Sequence, residues 1–178
     1  IAEHHQPLIC SINAQAGKES QYKLIPTKNP KQVWVIGGGP AGMEASRVAT
    51  LRGHQVTLFE KKDKLGGQLL YAILPPYKEE WKSFLEYLNT QLQKLKVEIR
   101  LNEEITVEKI ELGKPDVVIV ATGANPIIPN IPGINQKNVA TAIEILTETK
   151  NLGENVIVVG GGFIGCETAE FIARKGKK

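Results

Sequence analysis

Gly37, Gly39 and Gly42 stand in the spacing GxGxxG directly after the apolar run Val33 to Ile36, and Glu60 follows Gly42 by eighteen residues at the end of a second run, Gln55 to Glu60. These types and intervals suit the holding of a phosphate-bearing ligand. The first glycine allows a tight turn, the second keeps a side chain out of the path of a pyrophosphate, and the third lets the next helix lie close on its strand. Pro40 suits the first helical position, where its missing N–H is an orphan in any case, and the helix then aims its positive end at the phosphates. Arg52 and Gly53 close that helix, because basic charge in the last turn and glycine just beyond it are stop signals. A carboxylate at Glu60 would accept hydrogen bonds from ribose hydroxyls. Strand, glycine turn, helix, second strand and terminal acid together predict a dinucleotide site.

The device recurs. Asn155 to Val159 is expected as a strand, Gly160, Gly162 and Gly165 repeat the spacing, and Phe163 to Lys175 is expected as a helix ending at Gly176. Two such units imply two dinucleotide sites. The second is expected to be incomplete, because the residues run out at Lys178 before its next strand.

Between the units, Gly66 and Gly67 in KKDKLGGQLL suggest a backbone that approaches something closely, and Gln68 can donate and accept beside it. A plain turn fits the same residues. Pro75 and Pro76 break the chain before a helix from about Lys78 to Lys94, with Trp81, Phe84, Leu85, Leu88, Leu92 and Leu95 as its core face. Val97 to Leu101 is a further strand, Glu104 to Val107 a second short one, and Asp116 to Ala121 a buried strand running into Thr122 and Gly123. The sum is an α/β fold, a Rossmann-like parallel sheet built from βαβ units. The expected domains are an extended lead-in over 1–30, a nucleotide domain over 31–124, a proline-rich connection over 125–150, and the start of a second nucleotide domain over 151–178.

Composition narrows the classes. Of 178 residues, 42% are hydrophobic and 23% charged, as in ordinary soluble globular proteins. A net charge of +3 with 6% aromatics offers neither a basic footprint nor a stacking platform for nucleic acid. No apolar run is long enough to span a membrane. Cys10 and Cys166, far apart in sequence, argue against a disulfide framework and for a cytoplasmic setting. A start at Ile1 without methionine or signal peptide reads as an excised piece. Cys166, among small residues at a helix start, is expected to fill core.

The stretches GGGPAGMEASRVATLRGHQVTLFEK, LGGQL, VIVATGA and VVGGGFIGCETAEF resemble, in order, the pyridine nucleotide-disulfide-reductase-like flavoproteins. Within these they resemble the back half of NADH:flavin oxidoreductases related to 2,4-dienoyl-CoA reductase, 2-enoate reductase and trimethylamine dehydrogenase. The resemblance implies FAD on the first unit, with Gly37, Gly39, Pro40, Ala41 and Gly42 at the pyrophosphate and Glu60 at the ribose. Gly66, Gly67 and Gln68 would lie toward the flavin, Ala121, Thr122 and Gly123 would close the site, and Lys61 and Ile105 would complete the cofactor-binding set. Gly160, Gly162, Gly165 and Glu167 would carry NADH or NADPH. Cys10, in ICSIN, resembles the last of four cysteines that hold a four-iron cluster, the other three lying upstream with a flavin-bearing, FMN-containing barrel.

The activity implied is an FAD-dependent NAD(P)H oxidoreductase that passes electrons, through cluster and FMN in the parent protein, to an alkene-type small-molecule substrate such as an enoate or a dienoyl thioester. The 178 residues alone are expected to turn over no NAD(P)H. The other reading is a trimethylamine dehydrogenase-like module that binds ADP and transfers nothing. Expected partners are the upstream barrel of the same chain and, through the C-terminal segment, a second copy; no nucleic acid or membrane is expected.

Overall fold

Apolar runs without alternation, such as Val33 to Ile36, are stable only as strands covered on both faces. A computed structural model describes residues 8–178; the first seven residues of the expected lead-in lie outside them. Gln32–Ile36 forms β1, Gln55–Phe59 β2, Glu98–Arg100 β3 and Val117–Val120 β4, in one wholly parallel sheet of order β3-β2-β1-β4. The neighbours of β1 are reached by crossovers in opposite directions, so a crevice opens at the carboxyl ends of β1 and β4.

Alternation along β1 sends Val33 and Val35 to one face and Trp34 to the other. On the first face they join Val56 and Leu58 of β2, Met43 of α1 (Pro40–Leu51), and Leu85, Leu88 and Leu92 of α3 (Glu79–Lys94) in one buried cluster. The helix spacing read from the sequence therefore marks the packed stripe of α3. Each fully buried side chain of this kind stabilises the fold by about 1.5–3 kcal/mol. On the second face Trp34 meets the buried Phe59 ring at 4.9 Å, and the end of α4 (Val107–Gly113) packs onto Trp34 at Gly113.

Four expectations change. Glu104 to Val107 is not a strand, because the Thr106 hydroxyl accepts from Lys109 N–H and caps α4 there. Asn155 to Val159 forms no strand. Its pairing is confined to Lys178, whose N–H donates to Glu154 O at 2.9 Å and whose carbonyl accepts from Val156 N–H at 2.6 Å, the pattern of a single parallel bridge. Strand β4 is half-buried, with Val120 72% exposed, because one face of this edge strand is uncovered. Besides α4, two short helices were not expected: α2 (Leu69–Ala72) and α5 (Ala142–Leu146), the latter started by a capping box between Thr141 and Glu144. The last helix, α6 (Phe163–Arg174), ends as expected before Gly176.

Gly113 is a position whose size no motif reveals. A Cβ there would lie 2.0 Å from Trp34 Cη2, so Gly113→Ala should destabilise by about 1–3 kcal/mol despite the better helix propensity of alanine. Urea unfolding checks this, and an unchanged or raised midpoint would contradict the packing described.

Candidate functional site

The turn after β1 is shaped by two close approaches of backbone. Gly37 adopts φ +111°, and a Cβ on it would lie 2.3 Å from Ala121 O; a Cβ on Gly42 would lie 1.8 Å from Gly37 O. Both glycines are therefore demanded by the protein itself. Gly39 differs: its backbone is ordinary extended chain at φ −75°, and the nearest atom to a Cβ there is Gly67 Cα at 3.9 Å. Among the described residues nothing fills that space.

The Leu65–Gln68 loop closes over this turn. Gly66 N–H donates to Gly38 O at 2.8 Å, and a Cβ on Gly67 would stand 2.9 Å from Gly39 Cα. From the same loop the Gln68 side-chain amide donates to Ala124 O, tying it to the Ala121–Gly123 segment beyond β4. Thr122 and Gly123 are exposed.

Glu60 is buried at 7% exposure, with Oε2 accepting from Gly38 N–H at 2.7 Å and Oε1 from Lys62 N–H at 2.9 Å. A carboxylate has about four lone-pair sites, so two remain for hydroxyls. Glu60, Lys61, Ile105 and Thr122 line one cleft of about 120 Å3 together with Glu103 and Glu104. Gly38 escaped the sequence reading. Its small size is required, since a Cβ would meet Leu65 Cδ2 at 2.4 Å, and the signal was a third consecutive glycine between the motif positions.

Charge at the helix ends separates two helices from the others of more than one turn. Glu79 and Glu80 sit in the first turn of α3, Glu108 in that of α4 and Glu144 in that of α5. Helices α1 and α6 have no acid in the first turn and no side-chain cap. Their positive ends are met by no acidic side chain of their own first turn.

The second glycine turn copies the first. Gly160 has φ +112°, Gly162 has φ −76° and ψ −179°, and a Cβ on Gly165 would lie 2.0 Å from Gly160 O. Around Gly160 and Gly162 nothing lies within 4 Å of a built Cβ. Glu167 points elsewhere, pairing with Lys78 at 2.7 Å.

Cys10 is exposed and lines a separate cavity of about 460 Å3, between the lead-in and a wall that includes Pro40, Arg47, Trp81 and Phe84. Its sulfur accepts from Asn13 N–H at 3.3 Å, and the amides of Asn13 and then Ile12 hold its thiol below the usual range. Cys166 is exposed too, with its thiol donating to Gly161 O at 3.4 Å, which corrects the expectation of core filling: the first turn of α6 stands at the surface, with Phe163 and Ile164 exposed as well. Among the described residues, no group of three or more His, Cys, Asp or Glu is placed to hold a metal, and no helix is long and apolar enough to cross a membrane.

A parallel sheet with glycine turns and uncapped helix ends at its switch point defines a nucleotide-binding α/β domain. Residues 31–178 match the family model described as pyridine nucleotide-disulphide oxidoreductase, and the chain belongs to that family of redox enzymes. It is 41% identical over 169 residues to a cinnamate reductase of Clostridium sporogenes, covering 95% of this chain and 25% of that protein. It is 44% identical over 178 residues to an NADH oxidase of Thermoanaerobacter brockii, covering 96% and 27%. The solved structure of a 2-naphthoyl-CoA reductase complexed with 2-naphthoyl-CoA superposes with TM-score 0.89 at 38% identity, over 95% of this chain and 26% of that one. The chain thus spans about a quarter of these relatives' length. The resemblance read from the motifs holds.

Removing the Glu60 carboxylate should be felt before any ligand is added. Glu60→Ala leaves the Gly38 and Lys62 N–H groups without their acceptor and should destabilise the chain by about 1–3 kcal/mol, with Glu60→Gln costing less because one oxygen remains. Equal urea midpoints for wild type and Glu60→Ala would refute this. For Cys10, the depressed pKa means that thiolate persists to lower pH than in free cysteine, near 8.5. In a Cys166→Ser background the alkylation rate should therefore reach its half-maximum at lower pH than for free cysteine. A half-maximum at or above the free value would show that the Asn13 amide does not stabilise the thiolate.

Proposed function

We propose that the chain is the FAD-binding part, with the opening of the NAD(P)H-binding part, of a flavin-dependent NAD(P)H oxidoreductase. The observation that carries this reading is Gly39: its lack of a side chain serves no contact within the protein, yet it sits at the N-terminus of an uncapped, acid-free helix. Space and positive potential coincide there, as a pyrophosphate requires.

Gly37, Gly39, Pro40, Ala41 and Gly42 would hold the pyrophosphate of FAD, and Glu60, with Lys61 and Ile105 on the same cleft, its adenosine end. Gly66, Gly67 and Gln68 would approach the flavin side, with Ala121, Thr122 and Gly123 closing the site. Gly160, Gly162 and Gly165 would take the pyrophosphate of NADH or NADPH, with Glu167 acting through Lys78. When bound, FAD supplies the hydride acceptor and redox chemistry; the chain binds, orients and excludes water. No side chain of these residues is assigned as an acid or base for the substrate.

The finer reading takes the acceptor as an activated alkene, an enoate or a dienoyl-type thioester. The relatives' names support it: cinnamate is an enoate and 2-naphthoyl-CoA a conjugated thioester. In this reading Cys10 supplies one thiolate of a four-iron cluster that lies, in the whole protein, toward an FMN-bearing barrel. Its exposure and depressed pKa suit a ligand whose partners lie elsewhere.

Gly39→Val in the full-length protein is the test. A Cβ on Gly39 meets only Gly67 Cα, at 3.9 Å, so circular dichroism and the urea midpoint should stay near those of FAD-stripped wild type while FAD content falls to near zero. A folded Gly39→Val protein with stoichiometric FAD would overturn the assignment.

A further inference from the structure

The buried apolar side chains of α5 and α6 stand apart from those of the sheet. The main cluster belongs to the sheet, α1 and α3, whereas Ile145 and Leu146 of α5 and Ile172 of α6 are buried outside it, where α5 and α6 pack together. Where α6 reaches back to the sheet-bearing part, the contacts described are polar. Lys78 Nζ lies 2.7 Å from Glu167 Oε1, and Arg174 donates from Nη2 to the Tyr77 hydroxyl at 2.5 Å, with its guanidinium 4.7 Å from the centre of that ring. Glu167 and Arg174 are seven residues apart, two turns along one stripe of α6. Tyr77 and Lys78 are adjacent, immediately before α3.

Tyr77 carries a second sign of constraint. Its φ is +62°, a conformation that aromatic residues rarely adopt and that persists only where surrounding contacts impose it. Burial does not impose it, since Tyr77 is 75% exposed. The Arg174 contact is what the structure offers in its place.

We propose that Tyr77 and Lys78 are positioning residues: with Glu167 and Arg174 they form an electrostatic clasp that sets the direction of the second glycine turn relative to the first, and whose opening loosens α6 while the sheet-bearing part stays folded. An ion pair whose side chains keep 30% and 36% exposure is screened by salt, whereas an apolar seam is not. The exposed start of α6, with Phe163 at 91% and Ile164 at 70%, adds no apolar anchor to the clasp. The bearing of the clasp on hydride transfer rests on the function proposed above. Its existence does not, because it is read without any cofactor.

Hydrogen exchange measured by mass spectrometry on the 178-residue chain tests it. Exchange in α6 should rise on the order of two- to five-fold between low and high salt, while α1 and α3 stay protected. K78E and E167K should each produce that rise at low salt, and the double reversal K78E/E167K should restore protection. Y77G, which relieves the strained φ and removes the stack, should loosen α6 as well. Exchange in α6 indifferent to salt and to both reversals, a double reversal no better than the singles, or an α6 tightened by Y77G would each overturn the proposal. Loss of FAD in Gly39→Val is a separate readout, so failure of the clasp and failure of the cofactor reading are distinguishable.

Discussion

The contact on which the rest depends is that of Gly42 with the carbonyl of Gly37. At 1.8 Å a methyl group has no room, so α1 can start over the end of β1 only because the third glycine of the motif has no side chain. That crossing brings the free amides of α1 to the sheet's switch point and leaves Gly38 N–H aimed at Glu60. Widen the crossing by one carbon and the helix dipole, the turn and the carboxylate no longer converge.

Two uses of polar groups coexist around this crossing. Helices that only pack are finished locally: Thr106 caps α4, Thr141 and Glu144 box α5, and Glu79 and Glu80 lie in the first turn of α3. The glycine-turn helices lack such side chains, and with glycine at each N-cap the stability forgone is about a few tenths of a kcal/mol. Glu60 differs from both, since it satisfies the Gly38 and Lys62 amides and keeps further lone pairs unused.

The second glycine turn isolates local from global determinants. Its dihedral angles match those of the first turn within a few degrees, yet Ile157 and Val159 are 90% and 83% exposed and the preceding segment is no strand. Identical spacing produces an identical turn, because the approach of the third glycine to the carbonyl of the first acts within six residues. A strand requires hydrogen-bond partners from another segment, and among the described residues only Lys178 provides one.

The sequence by itself determined what depends on near neighbours: both glycine turns, the proline start of α1, the stripe of α3, and the alternation of strand and helix that makes a parallel sheet. Even Glu60 was legible, because a strand's length sets where its last residue falls. The tertiary structure decided what depends on distant segments. Glu104 to Val107 reads as a strand by composition, but a threonine cap tipped it into a helix start. Gly113 must be glycine because Trp34, far away in sequence, lies across it. Glu167 and Arg174 meet Tyr77 and Lys78 across about 90 residues, a pairing that no local pattern encodes because chain folding alone brings those charges together.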